Sequence, residues 1–316
     1  MGKITKVSVK EMSREKWLEE RRKSIGGSDA GALLGLNEYT SPYALWCEKT
    51  GKIIPEDISD KEAVRIGNDL EQYVADRFTE ATGKKVRRDN SMIYNSDYPF
   101  AHANIDRAVI GERAGLECKT TSSWEILQQC RDGHYPDQWY AQITHYLMVT
   151  GWERWYLGVL VLGKGFFEFT IERNDSEIDA LAAAESDFWR NVTNNTPPPL
   201  DGAESTTEAL KTILGDSAPG KTVDLMAVST DITLWLALKE RIKELEAEQA
   251  QHQAAIMQFM GDAERGAFGN TCISFKTQTR RTFDRDAYEA ANGIIADQYF
   301  KTSTSRPFKV TTRKGR

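Results

Sequence analysis

Two periods divide this chain. Up to Gly83 the apolar positions recur three or four residues apart, the spacing of a helix with one buried face. Trp17 and Leu18 sit among charges in SREKWLEERRKS, a helix that stops at Gly26-Gly27. Ser28 or Asp29 then caps a second helix through Ala32, Leu33 and Leu34. A third runs from Pro42 to Lys49, with Gly51 just beyond it. The fourth carries Leu70, Val74 and Phe78 four apart and ends at Gly83. Past Gly83 the runs become short and bounded by Gly, Asn and Asp. Strands are predicted at Lys85–Arg88, Ser91–Tyr94, Ala103–Ile110 and Gly115–Thr120. A helix follows at Tyr135–Val149, a hairpin at Trp155–Leu162 and Phe166–Ile171 around Gly163-Lys164-Gly165, and a helix at Asp175–Val192.

The run Thr196-Pro197-Pro198-Pro199 marks a boundary. It separates a domain at 1–199 from an extension at 200–316. The extension begins as a polar linker without strong period. A long helix from about Thr230 to Met260 follows, then a small β element from CISFKTQ and RPFKVTTRK. The helix bears a stripe of Trp235, Leu238, Ile242, Leu245, Gln249, His252, Ile256 and Phe259, alternating three and four apart. Gln249 and His252 interrupt the apolar seam. Packing of the stripe against the protein's own body is therefore expected ahead of a partner.

Composition changes this picture little. The chain has 316 residues, 40% hydrophobic and 28% charged, ample for a substantial core. No apolar run reaches the length of a membrane span, and MGKITKVSVKEMSREKW lacks the apolar segment of an export signal. The expected location is the cytoplasm. The four cysteines, Cys47, Cys118, Cys130 and Cys272, form no CxxC pair, which argues for free thiols and against a zinc or iron–sulfur site. The formal charge of −6 excludes indiscriminate coating of nucleic acid but not a local basic groove.

The candidate chemistry lies in HANIDRAVIGERAGLECKTT, residues 102–121. In a strand, alternate side chains share a face, so Glu117 and Lys119 point one way and Leu116 and Cys118 the other. Asp106, ending the neighbouring strand, brings a second carboxylate to the same point. Two carboxylates repel unless a cation lies between them, and oxygen ligands favour Mg²⁺ or Mn²⁺. Such a metal can position water and stabilise charge on a phosphodiester oxygen.

Here the chain resembles a known family. Asp106 followed by Glu117-Cys118-Lys119 looks like the PD-(D/E)xK nuclease signature, with Ile105 where a proline is usual. Trp17-x-x-x-Arg21 with Ile25-Gly26-Gly27-Ser28-Asp29, then Gly67-x-x-x-Glu71, then Tyr140-Ala141-Gln142-Ile143-Thr144-His145-Tyr146 resemble, in order, motifs of the YqaJ-like viral recombinases, the phage lambda exonuclease family. The resemblance covers about the first 195 residues. It implies an α/β fold with a restriction-endonuclease-like core, a central mixed sheet flanked by helices.

The resemblance also implies roles. Asp106 and Glu117 ligate Mg²⁺, for which Mn²⁺ substitutes, with the Cys118 carbonyl as third ligand. Lys119 acts on the attacking water, and Gln142 orients Lys119 or the water. Glu71 serves a second metal or its water shell. Arg21 and Ser28 bind a terminal 5′-phosphate, with Arg22 as a rival to Arg21. The implied activity is 5′→3′ resection of linear double-stranded DNA from 5′-phosphorylated ends, leaving 3′ overhangs for a single-strand annealing protein in phage-type recombination. Ring-like homo-oligomers and a phage or prophage origin in a bacterial host come with it. The alternatives are a structure- or site-specific endonuclease on the same fold, or a non-catalytic DNA-binding or adaptor module.

The remaining features have plainer readings. The histidines at 102, 134, 145 and 252 read as structural, and Trp152, Trp155, Tyr156, Phe166, Phe167 and Phe169 as core. Basic clusters at Lys84–Arg88, Arg280-Arg281 and Arg306–Arg316 are candidate phosphate contacts.

Overall fold

The computed structural model describes residues 2–55, 57–269 and 271–301. The chain divides into two compact units, Met1–Gly215 and Asp216–Arg316. The first unit runs past the proline run to include one more helix.

The first unit opens with β1 (Ile4–Ser8), α1 (Arg14–Arg22), α2 (Gly27–Leu33), α3 (Pro42–Lys49) and α4 (Glu62–Thr82). Ser13 and Ser41 cap α1 and α3 through their hydroxyls. The cap of α2 is neither Ser28 nor Asp29. Gly26 occupies that position, and the Asp29 carboxylate reaches back to accept its N–H at 2.8 Å. Gly83, at φ 71°, ends α4 in the left-handed conformation.

Next come β2 (Val86–Arg88), β3 (Ser91–Asn95), β4 (His102–Asn104), β5 (Arg107–Val109) and β6 (Ala114–Thr121). The single strand expected at 103–110 is in fact two. β4 belongs to a three-stranded sheet of order β1-β3-β4, whereas β5 joins a five-stranded one, and Asp106 lies at the change of partner. The unit continues with α5 (Trp124–Arg131), α6 (Asp137–Thr150), β7 (Arg154–Val161), β8 (Gly165–Glu172), α7 (Asp175–Thr193) and α8 (Glu204–Leu214). The five-stranded sheet has order β2-β5-β6-β7-β8 and is mixed, with β6 and β7 parallel and the other neighbours antiparallel. The parallel pair is joined through α5 and α6, as a crossover requires.

Helices cover both faces of this sheet. Leu116 and Tyr156 pack with Ala75 and Phe78 of α4. Trp155, Leu157 and Val159 face the other way, onto Ile143, Tyr146 and Leu147 of α6. α6 is the central helix, buried at every residue from Ala141 to Thr150. α8 is tied to the head of α3, where Thr206 donates to the Ser41 hydroxyl at 2.7 Å. The architecture is the α/β sandwich expected, a central mixed sheet between helices.

The second unit holds a 3-10 turn at Met226–Val228, α9 (Ser229–Met260), an antiparallel hairpin of β9 (Arg265–Phe268) and β10 (Thr271–Ser274), and α10 (Arg285–Asn292). RPFKVTTRK and Arg306–Arg316 lie outside the described residues. No described helix is long and apolar enough to cross a membrane.

Candidate active site

The antiparallel register pairs Arg107 with Leu116, so the next step along places Asp106 opposite Glu117. The parallel register pairs Glu117 with Leu157 and Lys119 with Val159, which turns both side chains toward α6. There Gln142 meets them. Its carbonyl oxygen accepts from Lys119 Nζ at 2.8 Å, and its amide nitrogen donates to Glu117 Oε1 and to the Tyr146 hydroxyl, each at 2.8 Å. Lys119 Nζ also lies 2.7 Å from Glu117 Oε1. Every hydrogen-bonding direction of the Gln142 amide but one is thereby used, which fixes Lys119 against Glu117.

Asp106 Oδ2 accepts the Cys118 N–H at 2.8 Å. Burial, and then the charge of Glu117, push the Asp106 carboxyl well above the ordinary carboxylate range despite that bond. Glu117 is 3% exposed, and its Oε2 is buried without a partner. Two adjacent carboxylates, Glu117 buried and Asp106 half-buried, with one oxygen unsatisfied among the described residues, form a donor set suited to a small hard divalent cation. Among the described residues no three His, Cys, Asp or Glu side chains converge to hold a metal. The available set is therefore Asp106, Glu117 and main-chain oxygen, the Cys118 carbonyl being the neighbouring one.

Glu71 is carried by α4, and its charge adds to the rise of the Asp106 carboxyl. Arg107 alternates with Asp106, so its side chain points to α4, where Nη1 bonds the Glu71 carboxylate and Nη2 donates to Gln72 Oε1 at 3.2 Å. Nη1 also donates to the Asp106 carbonyl at 2.8 Å. Arg107 is 2% exposed. Glu71 is thus held by a buried arginine that also fixes the main chain of Asp106.

A cleft of about 180 Å³ adjoins the cluster. Trp17, Arg21, Gly27 and Ser28 line it, as do Gln142 and Tyr146, so Gln142 belongs to both cleft and cluster. Arg21 donates to Ser28 Oγ at 2.8 Å, and its guanidinium lies 4.7 Å from the Trp17 ring centroid. Arg22 does not line the cleft. A side chain on Gly27 would overlap the Tyr146 ring, so glycine there lets α2 approach α6.

Residues that sequence reasoning passed over hold this wall in place. Lys49, at the end of α3, has a side chain only 5% exposed. Its Nζ lies 2.5 Å from Asp29 Oδ2 and donates to the carbonyls of Arg21 and Ser24 at 3.0 and 2.9 Å. Burial alone would raise the Asp29 carboxyl, but the charges of Lys49 and Arg21 bring it down to about 2. His102 also lines the cleft. Its Nδ1 bonds Ser24 Oγ at 2.8 Å, and burial followed by the Lys49 charge lowers its imidazolium to about 3. His145, fully buried, donates through Nε2 to the His102 carbonyl at 2.8 Å and bonds Glu185 through Nδ1 at 2.7 Å. Burial disfavours its charge, but Glu185 more than offsets this and raises it. Of these, Asp29 stands in the sequence as a cap candidate and motif residue and the two histidines read there as structural, whereas nothing in the sequence singles out Lys49 or Glu185.

The candidate basic contacts are partly committed elsewhere. Lys84 pairs with Glu112, and Arg88 lies 3.7 Å from Glu71.

Comparison with known proteins agrees with the fold and the family resemblance. The YqaJ-like viral recombinase domain matches residues 16–153. A Bacillus subtilis (strain 168) protein, the uncharacterized protein YqaJ, is 40% identical over 291 residues, covering 88% of this chain and 91% of the relative. The crystal structure of an alkaline exonuclease from Laribacter hongkongensis superposes with a TM-score of 0.50 at 18% identity, over 58% of this chain and 94% of that one. The same enzyme in complex with dAMP superposes equally well. That likeness is one of fold. With the relative matched over nearly its whole length, the chain belongs to the YqaJ-like viral recombinase family.

Proposed function

We propose that this protein is a Mg²⁺-dependent exonuclease that resects linear double-stranded DNA 5′ to 3′ from 5′-phosphorylated ends. The observation that carries the reading is the shared residue. Gln142 holds Lys119 and Glu117 on one side and lines the Arg21–Ser28 cleft on the other. An anion seated by the Arg21 fork and the Ser28 hydroxyl would place the adjoining phosphodiester beside the carboxylates. An internal cutter has no use for a terminal-phosphate seat next to its catalytic cluster.

Asp106, Glu117 and the Cys118 carbonyl would hold the Mg²⁺, and Mn²⁺ fits the same oxygen donors. When bound, the metal supplies Lewis-acid stabilisation of the phosphodiester oxygen and lowers the proton affinity of water. Lys119, poised by Gln142, orients the attacking water and meets negative charge as it develops. Glu71, which Arg107 engages, would serve a second metal or its water shell. Its larger part is to steady Arg107 and, through it, the main chain at Asp106.

The alkaline exonuclease whose fold is shared supports the hydrolytic reading by analogy. The family points to a place in phage-type recombination, in the cytoplasm of a bacterial host, in which a single-strand annealing protein takes the 3′ overhang. Homo-oligomers, ring-like in this family's pattern, would keep the enzyme on its substrate.

The test is digestion of linear duplex DNA in Mg²⁺ with 5′-phosphate or 5′-hydroxyl ends, beside a closed circle and the Lys119→Ala variant. Faster loss of the phosphorylated duplex, an intact circle and an inert variant are expected. Cutting of the circle would replace this reading with an endonuclease. No cleavage of any substrate, with Mn²⁺ tried as well, would leave a DNA-binding module.

A further inference from the structure

The long helix of the second unit has a use that the nuclease reading does not absorb. α9 runs for 32 residues, and none of them is buried. At about 1.5 Å per residue it is roughly 48 Å long. Its stripe is laid open: Leu238 is 60% exposed, Ile242 55%, Leu245 54% and Phe259 93%. The described residues of the unit to which the helix belongs do not cover that stripe.

The order of residues within the stripe says what would cover it. With Ile242 and Ile256 at position a of a heptad, Trp235 also falls at a, and Leu238, Leu245, Phe259 and the polar His252 fall at d. β-branched residues at a with leucine at d favour two parallel strands. Gln249 also falls at a. A polar side chain there costs stability in a seam but is satisfied when it meets its own copy, which sets parallel strands in register. The flanking charges agree. Arg241 falls at g and Glu246 at the following e, the two positions that face each other across a parallel in-register pair. Arg241 makes no ion pair with a described residue, and the two lie five apart in sequence. They are therefore on well-separated sides of their own helix and do not meet within one chain.

We propose that α9 pairs with α9 of a second copy of this chain as a parallel, in-register two-stranded coiled coil. Ile242 and Leu245 sit in its seam, and Arg241 of each copy bridges to Glu246 of the other. The proposal is independent of the nuclease reading, and its readout is mass rather than activity.

The experiment is sedimentation equilibrium of the full chain over a range of concentrations. Ile242→Lys places a charge in the seam and is expected to weaken α9-dependent association by about a hundredfold or more. Arg241→Glu sets Glu against Glu twice per dimer and should weaken it several-fold. Arg241→Glu with Glu246→Arg should restore it, a rescue that no contact within one helix can produce. Oxidation of an Ile256→Cys variant carrying Cys272→Ser should give a covalent dimer, because an antiparallel pair would hold the two 256 positions far apart. An unchanged mass for Ile242→Lys overturns the proposal and leaves the stripe to another part of the chain or another protein. So does failure of the double charge reversal to restore association, or absence of the cross-link.

Discussion

Lys49→Met tests whether the wall of the cleft is held electrostatically. Methionine keeps the length and apolar stem of lysine and removes only the ammonium. That ammonium uses all three of its protons, on the Asp29 carboxylate and on the carbonyls of Arg21 and Ser24. Asp29's descent from an ordinary 3.8 to about 2 corresponds to roughly 2 kcal/mol of stabilisation at neutral pH. Removing the cation leaves this carboxylate with only the Gly26 N–H and the Arg21 charge, so the expected loss at pH 7 is about 3–5 kcal/mol. The pH dependence should change with it. In the native protein the depressed carboxyl contributes fully above about pH 4, and the contribution is lost as pH falls through about 2. In the variant, burial is opposed only by the Arg21 charge and the Gly26 N–H, so the same carboxyl titrates higher than in the native protein. Acidification from pH 7 to pH 4 then narrows the gap to the native protein. Urea unfolding at both pH values measures it. Asp29→Asn added to Lys49→Met should recover most of the loss, because the orphaned charge goes with it. A loss below about 1 kcal/mol at pH 7, or no recovery in the double variant, would refute the reasoning.

Three further outcomes are expected. Asp106→Asn keeps an acceptor for the Cys118 N–H but removes a buried charge. It should stabilise the metal-free protein by about 2 kcal/mol at pH 8, with no gain below about pH 4, while abolishing cleavage, as paired thermal melts and digests would show. Gln142→Leu strips three hydrogen bonds and leaves the buried Tyr146 hydroxyl without its donor. A cost of about 2–3 kcal/mol in urea is expected, with a fall in kcat larger than any rise in KM. Gly27→Ala drives a methyl into the Tyr146 ring and should cost about 1–3 kcal/mol, and a fully stable variant would show that α2 can withdraw from α6.

The parts of this fold legible in the sequence are those whose burial has a period. α4, α6, β7 and β8 each bury one face or all of their length, and the pattern of apolar residues shows it. β1 escapes notice because every one of its residues is exposed, so no alternation marks it. α8 buries only Thr206 and Ala209, too little for a stripe. The break at Asp106 is invisible for another reason. β4 and β5 are both short and extended, and only their partners in different sheets separate them. Within the site, Asp106, Glu117, Lys119, Gln142, Arg21 and Ser28 could be picked out because their types and order carry chemistry. Lys49 and Arg107 could not. Each looks like an ordinary surface cation until the fold brings it to a carboxylate 20 and 36 residues away, Asp29 and Glu71.

The alternation that sends Glu117 to α6 and Leu116 to α4 also limits how relatives of this chain can vary in length. A one-residue slip between β5 and β6 would exchange the two faces, burying the carboxylate against Ala75 and Phe78 and presenting a leucine to Gln142. Insertions and deletions between Asp106 and Glu117 are therefore confined to the connecting turn at 110–113, where the ladder does not register them. Spacing between the two acids should drift among homologues, and the alternation after the second acid should not.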